Sequence, residues 1–190
     1  MRAKGRGAVF APVDFLELGR RSAVDVALHR LVKQGAVRRV ARGVYDLPWE
    51  HPTLGPLLPS PEAVARAIAG RDRTRLQPAG ACAANALGLT EQVPAKVVFL
   101  TDGPTRTIRI GTTMIQLRRT TPKYMETAGR LSGLLIQAFR ELGKDNVTQE
   151  RIAHLERTIP AAQRQELLAD LRLAPTWIHP HFRRLAGVNS

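Results

Sequence analysis

The chain has 190 residues, a formal net charge of +13 and a single cysteine. One cysteine excludes an intrachain disulfide framework, no apolar run approaches the roughly 18 residues that cross a membrane, and the N-terminus lacks the apolar core of a signal peptide. A soluble cytoplasmic protein of one large or two small domains is expected, and a pI near 11.3 points toward a nucleic-acid partner.

The charge is unevenly placed. Residues 1–48 carry ten Lys/Arg against four Asp/Glu, a net of +6, whereas 49–100 carry a net of +1, 101–145 of +4 and 146–190 of +2. Arg2, Lys4 and Arg6 form a basic arm of the kind that follows a groove. Pro12 to Gly19 reads as about two turns of helix before a three-residue turn. Ser22 with Asp25 fits a capping box at the start of the next helix. Val24, Leu28, Leu31 and Val32 then fall at 3.6-residue spacing and bury one face. Asp25, His29, Arg30 and Lys33 are left outside. Gly35 stops the helix, Val37 to Val40 lead into a strand, Arg42-Gly43 turns, and Val44-Tyr45 returns.

Helix, turn, helix and basic two-stranded wing is the layout of a winged helix-turn-helix, a DNA-binding module. Arg20, Arg21 and Ser22, at the start of the recognition helix, are placed for base edges in the major groove, where arginine pairs bidentately with guanine. His29, Arg30 and Lys33 share the outer face and can reach a base or a phosphate. Arg38, Arg39 and Arg42 in the wing suit phosphate or minor-groove contacts, which give salt-sensitive affinity with little sequence information.

Pro48 to Pro61 holds five prolines in 14 residues, which forbids helix and disfavours a central strand. The reading is an extended connector, ordered by Trp49, Leu54, Leu57 and Leu58. Pro61 to Gly70 is a helix capped by Ser60 and stopped by Gly70, and Ala79 to Leu87 a second one closed by Gly88. Val97–Thr101, Arg106–Ile110 and Met114–Arg119 form a three-stranded meander with turns at Asp102-Gly103-Pro104 and Gly111. Ile108, Ile110, Ile115 and Leu117 alternate, burying one side. Arg106, Arg109, Arg118 and Lys123, with Arg119, make a second basic face for an acidic partner, RNA or further DNA. Helices over about 124–142, 148–158, 161–171 and 175–186 follow, broken at Gly143 and Pro160, with Thr148 as a cap.

Signals for chemistry are missing. There is no phosphate loop and no dinucleotide fingerprint. His179 and His181 have no evident third metal ligand. Cys82 in its alanine-rich helix reads as a small buried hydrophobe. No catalytic residue, metal or cofactor is expected, and an enzyme is not. The expected fold is α+β: a winged helix-turn-helix over 1–48, a connector over 49–61, and a mixed domain over 62–190 with a short antiparallel sheet and C-terminal helices.

Gly7-Ala-Val-Phe-Ala-Pro-Val-Asp-Phe15, Ser22-Ala-Val-Asp-Val-Ala-Leu-His-Arg-Leu31 and Arg39-Val-Ala-Arg-Gly-Val-Tyr-Asp46 resemble the N-terminal domain of AbiEi-type antitoxins, of type IV toxin–antitoxin or abortive-infection systems. Pro78-Ala-Gly-Ala-Cys-Ala-Ala-Asn-Ala-Leu-Gly-Leu89, Gln92-Val-Pro94 and Leu100-Thr-Asp-Gly103 resemble a poorly characterised family of the same group. The resemblance spans about residues 5–145. It implies a winged helix that represses its own operon by binding double-stranded promoter repeats, and a C-terminal domain that counteracts a nucleotidyltransferase-like toxin encoded alongside. It assigns Arg20, Arg21, His29 and Arg30 to the recognition helix and Arg38, Arg39 and Arg42 to the wing. One departure stands out: such domains carry a full helix before the Gly-x-Val-Phe segment, and only about six residues precede it here. Either that helix is missing or another element covers that side of the small core. The rival readings are a plain winged-helix regulator with a ligand-binding or dimerisation domain and, more distantly, an RNA-binding accessory protein. A nucleotidyltransferase-like neighbouring gene favours the antitoxin.

Overall fold

Phe10, Phe15, Val24, Leu28 and Val37 are buried together near the N-terminus, with Leu31, Val32, Tyr45 and Leu47 packed against them. The computed structural model describes residues 5, 7–91 and 94–188. The basic arm of Arg2, Lys4 and Arg6 lies outside the described residues, as do Gln92 and Val93. Around this core run β1 (Val9–Phe10), α1 (Arg21–Lys33), β2 (Arg38–Ala41) and β3 (Val44–Asp46). The strands form an antiparallel sheet in the order β1-β3-β2. Gly35 and Gly43 take left-handed φ values of 70° and 66°, where a Cβ would be strained. The first closes α1 and the second turns the β2–β3 hairpin.

Two local features refine these expectations. The two turns of helix after Ala11 are a 3-10 helix, Pro12–Leu18. Pro12 starts it, and the Asp14 carboxylate accepts from the Ala11 N–H at 3.1 Å while the Asp14 N–H donates to the Ala11 carbonyl at 3.0 Å. That reciprocal pair winds the entry into a tight turn, and at seven residues the segment is longer than 3-10 helices usually run. Secondly, α1 starts at Arg21, so Ser22 lies inside it and caps nothing. Asp25 is paired with Arg21 one turn back, at 3.0 Å.

The proline-rich stretch is a hairpin of its own, β4 (Trp49–His51) against β5 (Gly55–Leu57). A two-stranded ribbon has only edges, so Pro56, opposite Glu50, removes no interior ladder bond. α2 (Pro61–Asp72) begins at Ser60, whose hydroxyl accepts from the Ala63 N–H at 3.2 Å. It runs two residues past the expected stop at Gly70 and ends where Arg73 turns left-handed, φ 54°. α2 packs on β1, β3 and the 3-10 helix and buries Val64, Ala65, Ile68 and Ala69. These elements form one compact unit, residues up to Thr74 with Thr107–Ile115; Arg75–Arg106 and the chain from Gln116 form a second.

The second unit opens with β6 (Leu76–Ala79) and α3 (Ala81–Ala86), separated by Gly80 at φ 58°. β7 (Lys96–Thr101), β8 (Arg106–Ile110) and β9 (Thr113–Arg119) follow. The sheet order is β6-β7-β9-β8, so the expected meander is corrected: β9 lies between β7 and β8. β6 escapes notice in the sequence because it has four residues and contains Pro78, a residue an edge strand tolerates. The expected helix 124–142 is split by Gly129 (φ 80°) into α4 (Pro122–Met125) and α5 (Leu131–Leu142). Then come α6 (Gln149–Thr158), α7 (Ala161–Gln165), short 3-10 turns, and α8 (His179–Leu185). Thr148 caps α6, its hydroxyl accepting from the Arg151 N–H at 3.4 Å. Leu135, Phe139, Ile152, Leu155, Leu167, Ile178, Phe182 and Leu185 fill this core, with Ala83 and Ala84 of α3 among them. The chain is thus mixed α+β, with several small sheets and a helical C-terminal part.

Two polar fixtures tie the second unit together. Buried Gln77, in the amide orientation that satisfies both ends, donates to the Thr127 carbonyl and accepts from the Leu134 N–H, each at 3.2 Å. Gly133 sits against the same groups: a Cβ there would lie 2.3 Å from the Thr127 oxygen. The buried Asp170 carboxylate accepts from Arg130 at 2.7 Å and from the Ser132 hydroxyl at 2.5 Å, holding the start of α5 to the chain before α8.

Candidate nucleic-acid interface

α1 buries Val24 and Leu28 on one side and leaves Ser22, Val26, His29, Arg30 and Lys33 exposed on the other. Arg20 and Arg21, at its start, are exposed as well. Arg30 and Lys33 occupy the last turn, where the negative end of the helix dipole favours cations. Arg21 is held toward Asp25, but both side chains are about half exposed, 53% and 48%. Such a pair on a helix surface is worth only about 0.3–0.5 kcal/mol, so the guanidinium can exchange it for another acceptor at small cost.

The β2–β3 hairpin divides its three arginines. Arg39 and Arg42 are exposed. Arg38 is not available in the same way: its Nε donates to Asp46 Oδ1 at 3.1 Å, and its Nη2 donates to Asp46 Oδ2 and, at 2.8 Å, to the Leu57 carbonyl. Arg38 and Asp46 are cross-strand partners, and Asp46 is only 1% exposed, so a buried carboxylate there needs a cation. The Asp46 hydrogen bond raises the Arg38 pKa above its ordinary value. These bonds make Arg38 a brace of the β2–β3 hairpin and leave it less free to meet a phosphate than Arg39 and Arg42.

A residue that sequence reading missed acts from α2. Arg71 Nη1 donates to the Arg42 carbonyl at the β2–β3 turn, while its Nε and Nη2 are held by Asp72 at 2.8 and 3.1 Å. Nothing local in the sequence marks Arg71, because its target lies 29 residues earlier.

In the second unit, Arg106 and Arg118 come to one end of the β8–β9 hairpin, where the Arg119 N–H donates to the Thr105 hydroxyl at 3.1 Å. Arg118, Arg119 and Lys123 are exposed and Arg106 is half-buried. Arg109 is exposed on β8 but belongs to the first unit, so it is not grouped with them. Asp102, in its expected turn, accepts from the Arg75 N–H and Nε, both at 2.8 Å. This bonding holds its carboxyl below the ordinary range. His179 bonds the Ala174 carbonyl at 3.1 Å. His181 lies edge-on to Phe139 and Trp177, and burial, with Arg184 nearby, lowers its pKa. Cys82, the chain's single cysteine, is half-buried.

A family profile matches residues 1–167, most of the chain. The chain belongs to DUF6088, a family of unknown function. None of the curated proteins is significantly similar to it. Among solved structures, it is similar to the Rv2827c protein of Mycobacterium tuberculosis, with 15% identity over 96% of this chain and 77% of that one and a TM-score of 0.39. That likeness is too slight to carry an argument. Among the described residues of this DUF6088 member, no helix is long and apolar enough to cross a membrane, and no group of three or more His, Cys, Asp or Glu is placed to hold a metal ion.

Proposed function

We propose that this chain is a DNA-binding, antitoxin-like autorepressor whose N-terminal part works as a winged helix-turn-helix. The observation that carries the reading is the joint exposure of Arg20, Arg21, Ser22, His29, Arg30 and Lys33 on α1 beside Arg39 and Arg42 on the β2–β3 hairpin. A helix with one buried face and one cationic face, next to a basic ribbon, fits a major groove and the flanking phosphates. Arg21 is the candidate for base reading, and Arg39 and Arg42 for phosphate. Arg106, Arg118 and Lys123 are the candidates for contact with a nucleotidyltransferase-like toxin or its nucleotide-bearing substrate. Arg109 stays a candidate for the same role from β8. Electrostatic complementarity of this kind mainly speeds and orients an encounter. The reading involves no catalytic residue, no cofactor and a cytoplasmic setting.

Binding to the duplex upstream of its own gene, compared with a random duplex of the same length across a salt series, tests the first half. Arg21→Ala should weaken the cognate duplex by about 1–3 kcal/mol more than the random one. Arg39→Ala and Arg42→Ala should weaken both alike and flatten the salt slope by about one unit per contact. Equal losses from all three variants would remove Arg21 from base reading. Co-expression with each flanking gene product, scored by growth, tests the second half.

A further inference from the structure

Tyr124 is an aromatic ring on the second unit that the core does not use. It sits in α4 with 37% of its surface exposed, while its neighbour Met125 is fully buried and anchors the segment. The Arg140 guanidinium, projecting from the exposed side of α5, lies over the ring at 4.7 Å from its centroid. Lys123 precedes the ring in the chain, Arg118 and Arg119 end the strand just before it, and all three are exposed. From Leu117 to Tyr124 the sequence carries three cations and no acid. The backbone beneath is fixed, since the Thr120 N–H donates to the Thr101 carbonyl at 2.9 Å and the Arg119 N–H to the Thr105 hydroxyl.

Of the two contacts proposed above for Arg118 and Lys123, the ring favours the nucleotide-bearing one: a purely acidic protein partner would engage these cations and leave the planar ring without a role. A duplex would present phosphates but keep its bases stacked inside. A strand with unpaired bases uses both: its phosphates meet Arg118, Arg119 and Lys123, and a base extends the stack that Tyr124 and Arg140 begin. We propose that this face of the second unit binds single-stranded nucleic acid, with Tyr124 and Arg140 as its base platform. The inference goes beyond promoter binding and does not rest on it.

The full chain and a fluorescein-labelled dT12 oligonucleotide test this by anisotropy. The unaltered protein binds the oligonucleotide. Tyr124→Ala lowers that affinity about tenfold or more, Tyr124→Phe keeps it within about twofold, because stacking needs the ring and not the hydroxyl, and Arg140→Gln lowers it without abolishing it. Equal losses from Tyr124→Ala and Tyr124→Phe overturn the proposal. So does an unchanged Tyr124→Ala affinity while Lys123→Ser weakens binding, because the face is then electrostatic only and open to any acidic partner. Matching melting temperatures for the three Tyr124 forms ensure that the comparison reads binding, and Tyr124→Leu, which keeps the bulk but not the ring, takes the place of the Ala variant if that one fails to fold. Loss of promoter-duplex binding, read on its own probe, leaves this result untouched.

Discussion

Arginines along α1 and those of the second unit's helices carry the same charge to different ends. Arg20 and Arg30 stand exposed on a helix whose other face is core. Arg164, by contrast, donates to the Ile159 carbonyl at 3.1 Å and the Leu185 carbonyl at 2.8 Å, groups at the ends of α6 and α8. Arg130 is paired with buried Asp170, and Arg75 reaches Asp102 and the Met125 carbonyl. The last carbonyls of a helix lack intrahelical partners, and the five-donor fork of arginine is suited to satisfy them. The lesson is that the net charge of a segment counts cations without asking what they hold. Of the second unit's basic excess, the part near Arg118, Arg119 and Lys123 is at the surface; much of the rest is mortar between elements.

The sharpest way to break that contrast is to disturb the second unit where it is tightest. Gly133→Ala places a methyl group 2.3 Å from the Thr127 carbonyl oxygen and 2.6 Å from the Gln77 amide nitrogen that donates to it. Overpacking of this kind should cost about 3 kcal/mol, or about 10 °C in melting temperature by calorimetry. A loss under 1 kcal/mol, on the order of measurement scatter among surface variants, would show that the Gln77–Thr127 contact gives way easily.

A smaller effect separates two neighbours in β2. Arg38→Ala leaves the buried Asp46 carboxylate without its cation and should cost about 2 kcal/mol, below the range for fully buried pairs because Arg38 is 30% exposed. Arg39→Ala should change stability by less than about 0.5 kcal/mol and act only on nucleic-acid affinity. Urea titration of both variants checks this, and equal stabilities would mean that Arg38 is as much a surface residue as Arg39.

The smallest effect is expected from His181. Its folded pKa is lowered, so below the ordinary imidazole value near 6.5 the unfolded chain takes up a proton that the folded one accepts less readily. Stability is therefore full above that value and declines as pH falls through it toward the folded pKa. His181→Phe, which keeps a ring between Phe139 and Trp177, should flatten the melting temperature between pH 7 and 5 (about one unit either side of the transition). An unchanged pH profile in that variant would assign the decline to other groups.

Much of the first unit was readable from sequence because its signals are local. The spacing of Val24, Leu28, Leu31 and Val32 follows the helix period, and the Arg42-Gly43 turn announces the hairpin. The exposed candidates on α1 follow from the same period. What escaped depends on partners distant in the chain. Arg38 looks identical to Arg39 until Asp46 is known to face it across the strands. Arg71 becomes part of the β2–β3 turn only once α2 is folded back. β6 is invisible because a four-residue strand with a proline has no periodicity of its own, and its place beside β7 reorders the sheet. The platform at Tyr124 could not be seen either, since its second half, Arg140, arrives from another helix.

The bracing of the β2–β3 hairpin also sets an order of events during synthesis. Its base is tied to the Leu57 carbonyl through Arg38 and its tip to Arg71, and α2 closes over β1 only after it has formed. A nascent chain that has emerged as far as Asp46 has every residue proposed for base and phosphate contact, yet not the struts that hold them in register. On the proposed reading, that surface is fully braced only when α2 is complete at Asp72, so a chain truncated before that residue is expected to compete poorly for DNA with the full one.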